Sequence, residues 1–547
     1  MREVGLVFDN NINLSKESNN YKNIFQNKTK KIKINWLQIF IYDFGFGKIQ
    51  KPKDWNCLIM DKSNNNQLTL KEEKTIKKLK ELKLYGQKLL WELNIPVDHG
   101  ALWDIRGAIF FFHILRWNNR LCQQFVKSKM FNKFILNTKI NLIVVDHIVQ
   151  ECFSMSTALL KYSPIIIQYS NWPICDVYSS SFNVELIPSA YPVTGTFYSP
   201  KDLKNFFIRL KNTLWFLIIF IVKSIQEYLA NQFYASIGHK NIKLNNLEKK
   251  RLFYAGRSEF LLEPIKPISN RIKHFGCSNC YNSSEYYLNL FKNNNIFKNK
   301  IIINNNNNYQ LINSSTCNYF KYLQQTNNIT LNKLIKINYL KQNNNKYKKI
   351  QLEFPEINWE EIDKRKFILI SFGSIAKVKY MPKYLLKIFL KTFGSSPYLI
   401  IWQTNSPIKQ ILNKEINLPL NIKIIKWAPI KLLLAHPNLK YSILHGGINT
   451  LNEAIMFGKP ILGIPLQGDQ PSNLQRLVDL GMAELISIKN IWLGELIVKM
   501  SNLELNYNNY LKRALKISKM IKTYRKMHQN QQNFWLKWAY RKIIIII

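Results

Sequence analysis

Within six residues, His445-Gly446-Gly447-Ile448-Asn449-Thr450 offers an imidazole, backbone amides bared by glycine, a side-chain amide and a hydroxyl. These groups hydrogen-bond phosphate oxygens, and a Gly-rich turn that opens a helix aims its free amides at an anion. Phe372-Gly373-Ser374 repeats the theme on a smaller scale, with a glycine for close backbone approach and a hydroxyl that can donate to a phosphate. Gly468-Asp469-Gln470 sets an acceptor beside a donor, the pairing that sugar hydroxyls require. Glu453 stands at i+4 from Asn449, so on a helix the two share a face and the carboxylate can accept both hydroxyls of a ribose. Trp427 closes an apolar strand, where its ring can stack on a base. Each feature alone has a plainer reading. A Gly-Gly turn is most often only a turn, a strand-end tryptophan core, and a lone helix glutamate a solvated face. Their order and spacing carry the weight.

The elements that must position these residues read cleanly from Phe367 onward. An apolar strand at 367–371 is followed by a helical stretch at 382–393 and a strand at 398–403. The alternation continues through 421–429, 431–436, a strand at 441–444, a helix at 450–458, a strand at 460–465, a helix across 471–480 and a strand at 483–487. Short, fully apolar strands separated by helices predict a parallel, doubly wound sheet. In such sheets ligands bind beyond the carboxyl ends of the strands, where all three turns fall. The front half predicts helices at 70–94 and 104–136, strands at 140–146 and 164–170, and a mainly helical stretch from 201 to 235, again α/β. Between the halves, residues 290–350 hold runs such as Asn304 to Asn308 and read as an Asn/Lys-rich disordered insertion without chemistry.

The series Trp427-Ala-Pro, His445-Gly-Gly, Asn449-Thr450, Glu453, Gly458-x-Pro460, Pro465 and Gly468-Asp469-Gln470 resembles the signature of the UDP-glycosyltransferases, which include the UDP-glucuronosyltransferases. The resemblance implies the GT-B fold, two Rossmann-like doubly wound domains facing a cleft. It also implies roles in binding the UDP-sugar for Trp427, His445, Gly447, Asn449, Thr450, Glu453, Asp469 and Gln470, with a phosphate contact from Ser374. Ile430 stands where the family usually has Gln, so one polar contact to the nucleotide is missing or supplied elsewhere, worth about 0.5–1.5 kcal/mol. Further forward, residues 257–264 resemble the family's domain-linking region, and 188–192 with 206–212 its acceptor-domain helices. The expected division is an acceptor-binding domain at 1–265, truncated at its start, a linker with the insertion at 266–360, a UDP-sugar-binding domain at 361–505, and a C-terminal helical segment at 506–547 that could be a truncated anchor.

Family members invert the anomeric carbon in one displacement: a His takes the acceptor proton, an Asp orients that His, and no metal or other cofactor is used. Asp146 matches the orienting Asp, while a simple strand-end cap is an equally good reading. The His-bearing loop has no counterpart, since the first histidine is His99, and His113 and His147 are poor substitutes. The implied reaction moves glucuronate or glucose from UDP-glucuronate or UDP-glucose to a hydroxyl of a small lipophilic acceptor. The alternative is an inactive UDP-sugar-binding homologue.

With 78 Lys+Arg against 34 Asp+Glu the chain carries a formal +44, which in isolation suggests nucleic acid or an anionic membrane. Lysine travels with Asn and Ile throughout and no nucleic-acid motif concentrates it, so nucleic acid is not expected as a partner. Seven scattered cysteines, with one C-x-x-C at Cys277/Cys280, predict no metal site and leave the redox compartment open. The apolar run Leu214 to Val222 falls short of the ~20 residues that span a bilayer and reads as a buried or membrane-surface helix. Residues 1–20 do not read as a signal peptide, so a place at the endoplasmic reticulum membrane or lumen rests on the resemblance alone.

Overall fold

A computed structural model describes residues 37–40, 56–59, 81–93, 104–127, 131–132, 142–146, 151–160, 164–170, 172–174, 176–185, 187–277, 280–292, 352–404, 408, 418–528 and 530–546. The chain divides into two compact units. In the smaller (1–42, 48–61 and 285–364), strands β1 (Leu37–Phe40) and β2 (Asn56–Ile59) pair in parallel, and Trp359 is buried against Phe354. The expected insertion lies almost wholly outside the described residues.

The larger unit (43–47, 62–284 and 365–547) holds two parallel sheets covered by helices, the α/β architecture expected of a GT-B chain. The front sheet runs β3 (Leu142–Asp146), β4 (Ile165–Ser170), β5 (Tyr254–Gly256), β6 (Ile272–His274) in that order. Around it lie α1 (Arg106–Val126), α2 (Glu151–Met155), α3 (Phe206–Ser236) and α4 (Leu244–Lys250). Asn205 caps α3, its Oδ1 accepting from the amides of Phe207 at 2.9 Å and Ile208 at 3.3 Å. Residues 188–192 form a turn, not a helix, and Asn212 holds it: the buried side chain donates to the carbonyls of Pro188 and Tyr191 and accepts from the Val193 amide. A disulfide joins Cys122 of α1 to Cys152 of α2, and a second closes Cys277–Cys280.

The back sheet contains β7 (Phe367–Ser371), β8 (Leu399–Gln403), β9 (Ile422–Ile425), β10 (Leu439–Leu444), β11 (Ile461–Gly463) and β12 (Ala483–Leu485). Its helices are α5 (Lys383–Gly394), α6 (Ile430–Ala435), α7 (Ile448–Phe457), α8 (Gln470–Asp479) and α9 (Glu495–Leu505). Every residue of β7 is buried, which is why its sequence is a run of apolar residues without alternation. Helix α5 turns Leu385, Phe389 and Phe393 inward, and the two phenylalanines lie edge-on to Trp402 of β8. Residues 81–93 join this core: Leu89, Trp91 and Leu93 are buried in it, and Trp91 Nε1 donates to the Lys377 carbonyl at 3.1 Å.

Two C-terminal helices, α10 (Tyr507–Met527) and α11 (Gln531–Ile546), tie the sheets together. Ser518 on α10 donates to the Met456 carbonyl of α7, and Arg525 is paired with the buried Glu259 of the front half. On α11, Trp535 meets Phe253 edge-on and Lys273 Nζ lies 3.6 Å above its ring. Among the described residues, no helix is long and apolar enough to cross a membrane.

Candidate functional site

In the back sheet the strand order is β12-β11-β10-β7-β8-β9. The order reverses between β10 and β7, and their connections leave on opposite sides there, opening a crevice at the carboxyl ends. The turns 372–374 and 445–447 leave those two adjacent strands. The His445 imidazole is wedged between them: a Cβ on Gly373 would come within 2.7 Å of its Nε2, and one on Gly447 within 2.6 Å. Glycine at both positions makes room for the ring, and at Gly373 it also permits the left-handed φ of +73°. Desolvation lowers the His445 pKa to about 4, against a hydrogen bond with the Ser371 backbone that favours protonation. At neutral pH it is therefore an uncharged imidazole.

Gly447 is the N-cap of α7, so the amides of the first turn, including those of Asn449 and Thr450, stand at the end of the helix that favours an anion. Ser374 is exposed, as is Asn449, while Thr450 is half-buried.

The Asp469-Gln470 pair opens α8 and is joined to the His445 turn through Asn473, whose Nδ2 donates to the Gly446 carbonyl at 3.1 Å and to Asp469 Oδ2 at 2.6 Å. Burial raises the Asp469 carboxyl and the Asn473 bond draws it part of the way back, leaving it at about 6. Gln470 Oε1 accepts from the amides of Leu466 and Gln467, so the side chain is oriented with its NH2 left as the donor. Trp427 is 49% exposed beyond β9, a platform rather than a core residue. Glu453 is ion-paired with Lys431 Nζ at 3.5 Å. Lys431 directly follows Ile430 and brings a cation to the side of the site where the expected Gln is absent.

The front half reaches the same place by loops. Trp172, just past β4, packs on Gly468, where a Cβ would lie 2.9 Å from its Cη2. The Gly195 amide donates to Ser472 Oγ on α8, and that hydroxyl donates to the Asp469 carbonyl. Below, Arg476 of α8 pairs with Glu263 at 2.7 Å, and Lys266 bridges Glu263 at 3.6 Å to Asp176 at 3.2 Å. Burial works to raise the Glu263 pKa, yet Arg476 and Lys266 hold it down to about 2. Asp176 Oδ2 accepts from the Thr194 amide and hydroxyl, closing a loop of contacts between the halves.

The structure thus gathers His445, Gly447, Asn449, Thr450, Asp469 and Gln470 around one crevice, with Ser374 on its β7 side. Asp146 ends β3, but its side chain lies outside the described residues, as do His99 and His147; His113 is exposed on α1. Sequence reasoning missed Asn473, Lys431, Trp172 and Gly195. Asn473 was within reach, since it stands at i+4 from Asp469 just as Glu453 does from Asn449. The other three carry no local signal.

Residues 350–542 match the family described as UDP-glucoronosyl and UDP-glucosyl transferase. A 2-hydroxyacylsphingosine 1-beta-galactosyltransferase of Homo sapiens is 33% identical over 175 residues, covering 32% of this chain and 31% of that protein. The UDP-glucuronosyltransferase 3A2 of Homo sapiens is 34% identical over 137 residues, 25% of each chain. Among solved structures, the glycotransferase of kitacinnamycin aligns with a TM-score of 0.44 at 11% identity, over 77% of this chain and 81% of that one. The matched segments span about a third or less of the length of these curated relatives. Residues 350–542 belong to the UDP-glycosyltransferase family.

Proposed function

We propose that the protein transfers a hexosyl group, glucuronate or glucose, from a UDP-sugar to a hydroxyl of a small lipophilic acceptor, with inversion and without a metal. The observation that carries this reading is the convergence of a phosphate-type turn and a sugar-type pair at the sheet's reversal point, joined by Asn473. Trp427 stacks on the uracil and Glu453 accepts the ribose hydroxyls. The amides around Gly447 and the start of α7, with His445, Asn449, Thr450 and Ser374, hold the diphosphate and stabilise the charge that grows on it as the bond to the sugar breaks. Asp469 and Gln470 fix the sugar by one acceptor and one donor, presenting the anomeric carbon to the acceptor hydroxyl. Asp146 is assigned the orienting of the base that removes the acceptor's proton. The two disulfides support an oxidising compartment such as the endoplasmic reticulum lumen, with association at its membrane.

UDP release from UDP-glucose and UDP-glucuronate, measured with a panel of phenols and sterols beside calorimetric UDP binding, tests the reading. Turnover with one donor and UDP binding in the micromolar range are expected. Binding without turnover would sink the transferase reading and leave a UDP-sugar-binding protein; absence of both would remove the site assignment.

A further inference from the structure

Helix α3 has two apolar faces, and among the described residues only one of them is packed inside the protein. Its inner face carries Trp215, Ala230, Phe233 and Tyr234, all buried, and is fastened by polar side chains as well: Asn212 on the 188–193 turn and Lys223 on Glu248 at 3.1 Å. Its outer face carries Phe207, Leu210, Leu214, Leu217, Ile221, Ile225 and Tyr228, spaced at three and four residues and all exposed, Phe207 by 69% and Tyr228 by 62%. Helix α1 continues that surface. Ile105 and Ile109 are exposed beside it, followed on the same helical face by Phe112, Arg116 and Arg120. A groove between the two helices is lined by Phe112, Leu115, Trp215, Ile218, Ile225 and Leu229, of which Phe112, Ile218, Ile225 and Leu229 are exposed. Contiguous apolar surface on this scale marks an interaction site.

We propose that the outer faces of α1 and α3 dock in the plane of an anionic lipid bilayer. Charge selects this occupant over a second copy of the chain. Residues 104–127 contain four Lys/Arg against Asp104, and 201–243 contain seven against two. Arg106 is paired with Asp104 and Glu92, and Lys223 with Glu248, which leaves the others to face outward. Lys201, Lys204 and Lys211 stand exposed around the start of α3, Lys240 and Lys243 beyond its end, and Arg116 and Arg120 along α1. An apolar face rimmed by cations complements acyl chains beneath anionic headgroups, whereas two copies would bring like charges together. The helix lies along the membrane instead of crossing it, because Asn212 and Lys223 bind its inner face to the protein. At about 1.5 Å per residue, the face from Phe207 to Tyr228 gives a contact about 32 Å long. The groove opens within that contact, so an acyl chain or a membrane-dissolved lipophile can enter it without passing through water. Docking requires no transferase activity.

Flotation of the full-length protein with phosphatidylcholine vesicles, with and without phosphatidylserine, tests the assignment. We expect binding that rises with phosphatidylserine and falls with salt. The double variant Leu217→Glu/Ile221→Glu should lower the bound fraction at least about tenfold, because charge is then placed at the apolar contact. Its melting temperature should match the parent's, and Trp492→Glu/Leu493→Glu, an exposed apolar pair elsewhere, should bind as the parent does. The proposal is overturned if the parent binds neither vesicle, if the α3 variant binds as well as the parent, or if gel filtration shows that variant merely dissociating a dimer that ignores lipid.

Discussion

The two large sheets are alike in being parallel and helix-covered, and they differ in strand order. The described front strands follow the chain in sequence, β3 to β6, whereas the back sheet reverses between β10 and β7. A reversal leaves an opening between neighbouring strands that the connections on either side do not fill, and into it point His445 and the amides around Gly447. The front sheet has no such reversal among its described strands and takes part through loops laid across the opening, Trp172 on Gly468 and Gly195 on Ser472. The back half supplies groups that recognise charge and hydroxyls; the front half supplies contact, apolar surface and the far ends of ion pairs.

If the halves depend on each other in this way, the largest effect should come from severing them. Glu259→Ala would leave Arg525 buried without its carboxylate, and loss of one member of a buried pair costs about 3–5 kcal/mol, read as a lower urea midpoint. The next effects should fall on the back half alone. Asp469→Ala should weaken UDP-sugar binding about 10- to 100-fold, the scale of a hydrogen bond to a charged group, and leave UDP itself almost untouched in calorimetry. Trp427→Ala should do the reverse, weakening UDP and UDP-sugar alike by about 1–3 kcal/mol, the worth of a base on an aromatic ring.

A smaller effect is set by pH. The Asp469 carboxyl titrates at about 6 in the folded protein against an ordinary 3.8, so between those values the folded state holds a proton that the unfolded chain has released. Stability from this group is therefore present at the acid end and lost as pH rises through that window. Sugar binding needs the carboxylate and runs the other way, falling as pH drops through about 6, with the dependence absent in Asp469→Asn. A break near 4 that persists in Asp469→Asn would instead implicate His445, which burial holds at about that value.

The back half was legible because its local signals and its topology agree. Buried parallel strands must be apolar runs, glycines must stand where backbones approach, and i+4 spacing on a helix is fixed by geometry, so the sequence alone places Glu453 and Asn449 on one face. Trp427 resolved as exposed, where its position alone favoured core. What stayed hidden depends on contacts between distant segments. Nothing near Lys431 announces Glu453, nothing near Trp172 announces Gly468, and the turn at 188–192 passes for helix until Asn212, a helix away, is seen holding its carbonyls. The disulfide from Cys122 to Cys152 was equally silent, since spacing alone does not fix pairing.

The packing of Trp535 on Phe253 has a consequence for biosynthesis. Chains emerge from the ribosome with the amino end first, and domains ordinarily fold as they appear. Here the strands of the front sheet are made long before the helix that covers Phe253, and Glu259 before the Arg525 that neutralises it. Until those later helices emerge, the nascent front half holds an uncovered aromatic and an unanswered carboxylate, so its packing is completed only after the back half has been made.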